Sequence, residues 1–183
     1  MIEKLIKECQ KRNKKAQSEL FYLYRDKLFA LCLKYCKNVE EAEDNLQDAF
    51  ITIFKNIQHY KFSGSFEGWM KRITINKAID RYKKSNLSTL PINNEILAEP
   101  KITSDTINFT LDELLEFIQR LPDRYRLVFN LYELDDYSHK EIAAMLNISQ
   151  GTSKSNLHRA KTLLKEYILS SKKEQKKTIV VNG

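Results

Sequence analysis

The segment ISQGTSKSNLHRAK, Ile148 to Lys161, holds three cations and no acid, in a chain that elsewhere mixes acids and bases freely. Gln150, Thr152, Lys154, Ser155 and Arg159 supply an amide, two hydroxyls and two long cations. Such groups hydrogen-bond phosphate oxygens and base edges in a duplex groove. A carboxylate beside phosphate would be repelled, and from Ile142 to Lys165 the chain has four Lys or Arg and no Asp or Glu. A solvated basic helix has the same composition, so the chemistry depends on the scaffold that presents these residues.

A second basic stretch, KRITINKAIDRYKK (Lys71 to Lys84), carries six bases and one acid, Asp80. Before it, YKFSGSFEGW places Tyr60, Phe62, Phe66 and Trp69 around a Ser/Gly loop. Rings for unstacked bases and cations for the backbone are what single-stranded DNA requires. The candidates are Lys61, Ser63, Gly64 and Ser65 in the loop, and Arg72, Asn76, Lys77, Arg81 and Lys84 after it. Asn76 lies one helical turn beyond Arg72, and its amide can donate and accept, so it can read a base edge. Cations at a helix end also suit the helix dipole, so a plain surface role competes. Phe66 and Trp69 align with Ile73 as core, whereas Tyr60 and Phe62 fit core and stacking roles equally.

The stretch VEEAEDNLQD (39–48) is the opposite, with five acids and no base. Glu40, Glu41 and Glu43 fit the first turns of a helix, where acids complement the dipole. Asp44, Gln47 and Asp48 lie deeper on one face and predict a protein-docking surface. No acid, base and nucleophile converge anywhere, and the three histidines are scattered, so no catalytic residues are expected and the chain is read as not an enzyme. Cys32 and Cys36 are one turn apart, but no other Cys or His has ligand spacing to them. They read as packed thiols, with no metal and no cofactor.

Glycine and proline are scarce and apolar residues recur at three and four, predicting an all-α chain. Short helix 2–11 is followed by a helix over about 16–37, with Leu20, Leu23, Tyr24, Leu28, Leu31 and Tyr35 on one stripe. Asn38 and Glu41 form a capping-box pattern for a third, with Ala42, Leu46, Ala49, Phe50, Ile53 and Ile57 inward. A fourth, about 66–84, turns Phe66, Trp69, Ile73 and Ile79 inward, completing an N-terminal helical bundle over 1–84. Residues 85–109 hold Pro91, Pro100 and little periodicity, and read as a flexible linker.

Thr110 with Glu113 restarts helix, and Pro122 opens another to about 134. Ser138 with Glu141 begins a short helix, a tight turn follows at Asn147-Ile148, and Ser149 caps a longer helix to about Leu169. That is a helix-turn-helix, in a C-terminal domain over 110–169. Ile142, Ala143, Leu146, Ile148, Leu157, Ala160 and Leu164 pack it. Ser153 falls where an apolar residue would help that packing. Residues 170–183 read as a disordered tail.

Composition agrees with these roles. A net charge of +7 over 183 residues favours polyanionic partners. No apolar run reaches the ~20 residues that span a bilayer. The N-terminus has no secretion-signal pattern, and three unpaired-looking cysteines fit a reducing cytoplasm.

AEDNLQDAF (Ala42 to Phe50), FSGSFEGWMKRITINKAIDRYKK (Phe62 to Lys84) and LPDRYRLVFNLYELDDYSHKEIAAMLNISQGTSKSNLHRAK (Leu121 to Lys161) resemble bacterial extracytoplasmic-function sigma factors. The resemblance covers about residues 1–168. It implies an alternative sigma factor that binds core RNA polymerase and directs promoter-specific transcription initiation. The first domain would dock on polymerase, melt the −10 element and capture an extruded base as single-stranded DNA. The second would read the duplex at −35. The −10 motif carries onto Asn76, Asp80 and Arg81, the docking motif onto Asp44, Gln47 and Asp48, and the −35 motif onto Thr152, Lys154, Ser155 and Arg159. The resemblance also implies an anti-sigma partner and no small-molecule substrate. The family's usual valine after Gly-Thr is Ser153 here. Two other readings stay open on the residues alone: an operator-binding regulator acting unaided, and a metal-dependent nuclease using Asp80. Promoter sequence, inducing signal and the anti-sigma partner are not encoded legibly.

Overall fold

The computed structural model divides the chain into two compact units, Met1–Ser85 and Asn86–Gly183. It describes the backbone of residues 2–85 and 109–181, and side chains over 2–84 and 109–171. These residues are helices and short turns, with no strand among them, in agreement with the all-α expectation. The predicted linker lies, apart from its ends, outside the described residues.

Unit 1 contains α1 (Ile2–Gln10), α2 (Lys14–Tyr35), α3 (Val39–Asn56) and α4 (Phe66–Ser85), with a single tight turn, Ile57–His59, ending α3. Asn13 starts α2 by accepting from the backbone N–H groups of Lys15 and Ala16. Asn38 starts α3 by accepting from Glu41 N at 2.8 Å. The expected capping box there is only half made, because the Glu41 carboxylate accepts from Lys37 N at 3.3 Å instead of reaching back to Asn38. Leu20, Leu28 and Leu31 of α2, Ala42, Ala49 and Ile53 of α3, and Met70, Ile75 and Ile79 of α4 are buried together with Ile6 and Cys9 of α1. Leu23 is a correction: it is 55% exposed, because it falls off the edge of the stripe that Leu20, Leu28, Leu31 and Tyr35 define. Trp69, Ile73 and Leu46 are half-buried, and Met70 and Ile75 take the inward positions instead.

Asn45 was not expected in the core, yet it is fully buried. Its amide donates to the Thr74 carbonyl of α4 at 3.2 Å and to Cys32 Sγ of α2 at 3.3 Å, tying the three long helices. Cys32 and Cys36 are buried, and burial pushes the Cys32 thiol up to about 11.

Unit 2 contains α5 (Leu111–Gln119), α6 (Asp123–Phe129), α7 (His139–Leu146) and α8 (Gln150–Val181). Both predicted capping boxes form, Thr110 with Glu113 and Ser138 with Glu141. The helix opened by Pro122 does reach Leu134, but its last five residues, Asn130–Leu134, widen into one π-helical turn closed by Asp135 N on the Asn130 carbonyl at 3.1 Å. Leu121, Tyr125 and Ala160 pack with Phe129, Leu163, Leu164 and Tyr167. Arg126 is a buried cation. It donates to the Gln119 and Leu121 carbonyls at 3.0 and 2.9 Å and to Asp123 at 2.6 Å, closing the α5–α6 corner. The expected end of this helix at about Leu169 is corrected: α8 runs to Val181, through lysine, glutamate and glutamine residues that favour helix.

Candidate nucleic-acid interface

The turn between α7 and α8 is built as the residue types dictate. Asn147 ends α7 in the left-handed conformation, φ 57°, which asparagine tolerates better than most side chains. Ile148 N then bonds the Ala143 carbonyl at 3.0 Å. Ser149 caps α8, its Oγ accepting from Thr152 N at 2.9 Å. Ile142 and Leu146 of α7 and Leu157 and Ala160 of α8 are buried.

Gln150, Lys154 and Ser155 are exposed, and Thr152 and Arg159 are half-buried. Helical spacing puts Thr152, Ser155 and Arg159 on one row and Gln150, Lys154 and Lys161 on another. Two of the hydroxyls already have partners: Thr152 Oγ1 lies 2.9 Å from Ser149 Oγ, and Ser155 Oγ donates to the Thr152 carbonyl at 3.0 Å. Lys161 is held by Glu133 at 2.7 Å. The exposed polar groups that remain outward on the first turns are therefore Gln150 and Lys154.

Ser153 is fully buried, despite its polar side chain. Its Oγ lies 2.9 Å from His139 Nδ1, across the helix pair. The His139 ring stacks on Tyr132, with centroids 4.3 Å apart and planes at 19°. Burial, and then the charge of Lys154, hold His139 below its ordinary pKa, so the neutral ring is favoured. Helical spacing marks Ser153 as an inward position, but nothing in the sequence marks His139 as its partner.

In unit 1 the loop Lys61, Ser63, Gly64 and Ser65 is exposed. Gly64 has φ +88°, open to glycine, and its carbonyl accepts from the Tyr60 hydroxyl at 2.9 Å. Ser65 Oγ accepts from Gly68 N at 3.2 Å. Gln10 of α1 anchors the approach, donating to the Ile57 and Tyr60 carbonyls at 3.0 Å each. The aromatic cluster is graded: Tyr60 and Phe66 are buried, Trp69 is half-buried, and Phe62 is 38% exposed. Phe62 lies 5.1 Å from Tyr60 and is the ring offered to solvent.

Arg72, Asn76, Asp80 and Lys84 of α4 are exposed, and Lys77 is half-buried. Arg81 stands apart from them. Its guanidinium faces α3 and pairs with Asp48 at 3.0 Å and Asp44 at 3.5 Å. Lys71 is paired with Glu67 at 3.2 Å, and Lys27 reaches the same carboxylate at 3.3 Å. Those two lysines hold the Glu67 carboxyl below its usual range. Six bases in sequence thus include two that unit 1 uses internally.

Asp44, Gln47 and Asp48 are exposed on α3. Beside Asp44 and Gln47 runs an open apolar groove lined by Phe21 of α2 and by Leu46, Phe50, Ile51 and Phe54 of α3. Phe21 and Phe50 touch at 4.7 Å between centroids. Sequence reasoning missed this groove. The available signal was the surplus of apolar residues on α3: Ile51 and Phe54 lie outside the face that the core uses.

No group of three or more His, Cys, Asp or Glu among the described residues could hold a metal ion, and no helix among them is long and apolar enough to cross a membrane.

Two family models match the chain, Sigma-70 region 2 over residues 20–87 and Sigma-70, region 4 over residues 111–164. The chain is 33% identical over 181 residues to the ECF RNA polymerase sigma factor SigW of Bacillus subtilis, covering 92% of this chain and 97% of that protein. It is 29% identical over 170 residues to the ECF RNA polymerase sigma-E factor of Escherichia coli, covering 86% and 88%. Among solved structures, the sigma factor RpoE in complex with the anti-sigma factor NepR from Bartonella quintana aligns with a TM-score of 0.52 at 18% identity, covering 82% of this chain and 95% of that one. At that identity the likeness concerns the fold.

Proposed function

The chain belongs to the ECF RNA polymerase sigma factors and acts as an alternative sigma factor in promoter-specific transcription initiation, and from this premise we propose that its two units divide the promoter between them. Unit 1 docks on core RNA polymerase and holds the −10 segment as single-stranded DNA. Unit 2 reads the −35 duplex with α8. The chain supplies binding and positioning only, and phosphodiester chemistry belongs to the polymerase. Its place of action is therefore the cytoplasm, with the polymerase and promoter DNA as partners and an anti-sigma factor as the controlling one.

The observation that carries this reading is the segregation of chemistry within unit 1. Glu43, Asp44 and Gln47 line an apolar groove on α3 and Asp48 is exposed one helical turn past Asp44, whereas Arg72, Asn76, Lys77 and Lys84 of α4 and Lys61, Ser63, Gly64 and Ser65 of the loop present cations, an amide and hydroxyls. Acids around an apolar groove suit a protein partner with a basic, apolar surface. Cations near the exposed Phe62 ring suit an unstacked strand. Flipping one base costs a few kcal/mol, which capture in a loop pocket can offset. Arg81 joins the two faces rather than belonging to either. In unit 2, Gln150, Lys154, Arg159, Thr152 and Ser155 are the contacts to the duplex.

Run-off transcription with reconstituted holoenzyme on a promoter library tests the proposal. The expected result is opening of templates that core enzyme leaves closed. Asp48→Lys should weaken co-purification with core polymerase, Asn76→Ala should change −10 preference, and Lys154→Glu should weaken −35 binding with polymerase association intact. Tight specific binding of promoter duplex by the isolated protein, indifferent to polymerase, would instead identify a self-sufficient regulator.

A further inference from the structure

A serine at position 153 poses a packing problem. It is fully buried between α7 and α8, where its hydroxyl would go unsatisfied and where an aliphatic residue would fill more space. The structure answers with His139, the first residue of α7, whose Nδ1 lies 2.9 Å from Ser153 Oγ.

The histidine is itself held on two sides. Ser138 before it is locked by the capping box, with Ser138 N donating to the Glu141 carboxylate at 2.8 Å. The ring face is covered by Tyr132, which the π-helical turn Asn130–Leu134 carries. A continuous series of contacts therefore runs from that turn through Tyr132 and His139 to Ser153. Beyond Ser153 lie its chain neighbours Thr152 and Lys154, both in the proposed reading set.

An apolar plug resists separation of two helices but tolerates sliding and rotation. A hydrogen bond adds direction, weakening steeply as its angle departs from linear. We propose that His139 is a positioning residue for DNA recognition: by bonding Ser153 it fixes the rotation of α8 and so the register in which Lys154 and its neighbours meet the duplex. This rests on the reading of α8 as the −35 helix.

The test compares His139→Phe, His139→Asn and the pair His139→Phe with Ser153→Val in the full-length chain bound to core polymerase. Phenylalanine keeps a ring against Tyr132 and deletes the bonding atom. Asparagine returns a polar atom near the Nδ1 position. The double variant makes both partners apolar, which restores satisfied packing without direction. The probe is a randomised duplex DNA pool, read as the base preferences each holoenzyme enriches, alongside the thermal midpoint of the free protein. His139→Phe should lower discrimination at the −35 positions about fivefold, the equivalent of one hydrogen bond. His139→Asn should recover most of it. The double variant should recover the thermal midpoint but not the discrimination, a split that a purely structural role does not produce. Base preferences unchanged in His139→Phe, or restored by the double variant together with stability, would overturn the inference. If the unmodified holoenzyme enriches no −35 sequence while still opening promoters, the −35 reading itself falls, and the inference with it.

Discussion

The two units each present cations at their surface, but they deploy their acids differently. In unit 1 the basic helix α4 lies against an acidic one, and Arg81 is held by Asp44 and Asp48 of α3. In unit 2 the stretch from Ile142 to Lys165 has no acid, and Lys161 is held by Glu133 from outside it. Charge counted along a sequence is thus not charge available at a surface. The units also differ in what holds them. Unit 1 rests on three long helices with a broad apolar core. Unit 2 leans on discrete polar devices: a buried arginine, two full capping boxes and the Ser153–His139 contact.

That difference predicts unequal sensitivity to single polar substitutions. The largest effect should come from Arg126→Ala. It removes the donor that the Gln119 and Leu121 carbonyls share and opens a void at the α5–α6 corner. A loss of about 3 kcal/mol is expected, as for breaking other buried charge networks. Denaturant unfolding followed by residue-resolved probes should show the transition of unit 2 shifting while unit 1 holds. A common shift of both would mean that the units do not stand independently.

Helix caps come next. Ser138→Ala and Asn38→Ala should each cost about 1 kcal/mol. The two should separate in binding, because Ser138 supports the His139 end of the helix-turn-helix while Asn38 lies on the far side of the docking acids in sequence. Duplex binding impaired equally by both would contradict the assignment of −35 reading to unit 2.

The Arg81–Asp48 pair should matter less still to stability. Both side chains are partly solvated, and exposed pairs contribute below about 1 kcal/mol. A double-mutant cycle with Arg81→Ala and Asp48→Ala measures it, and the coupling should shrink further in high salt. A coupling of several kcal/mol would make Arg81 a structural bolt of unit 1.

These residues also show which features a sequence displays. Local signals were legible: Thr110 with Glu113, Ser138 with Glu141, Asn147 as a turn residue and Ser149 as a cap are each settled by neighbours within a few positions. The inward faces of the helices were legible where apolar spacing was unambiguous, as at Leu20, Leu28 and Leu31. Leu23 was misplaced because hydrophobicity marks what can be buried, not which edge of a stripe a neighbour covers. Asn45 escaped, and so did the partner of Ser153, whose inward position was legible, because a buried polar residue is defined by its partners, and those lie 29 and 14 positions away in the chain. The groove beside Asp44 and Gln47 escaped for a related reason: Phe21 joins it from another helix. Arg81 was assigned by motif to the DNA side, and only the packing of α3 on α4 reveals its acidic neighbours.

The smallest predicted effect concerns pH. His139 titrates below its ordinary value of 6.5 in the folded unit, chiefly through burial and then through Lys154. The unfolded chain therefore takes up this proton at higher pH than the folded one. Between the two values the unfolded state binds more protons, so stability rises with pH there. The contribution is complete above about pH 6.5 and is lost as the pH falls below it. Carboxylates titrate over part of the same range, so the informative quantity is a difference. The thermal midpoint of unit 2, followed from acid to neutral pH, should fall more steeply on acidification in the unmodified chain than in His139→Phe, where the group is gone and the acids remain. Parallel profiles would mean that the imidazole accepts its proton without disturbing the α7–α8 contact. Ser153 Oγ could then act as acceptor for a charged ring as well as for a neutral one, and the contact would be a packing device whose direction survives protonation.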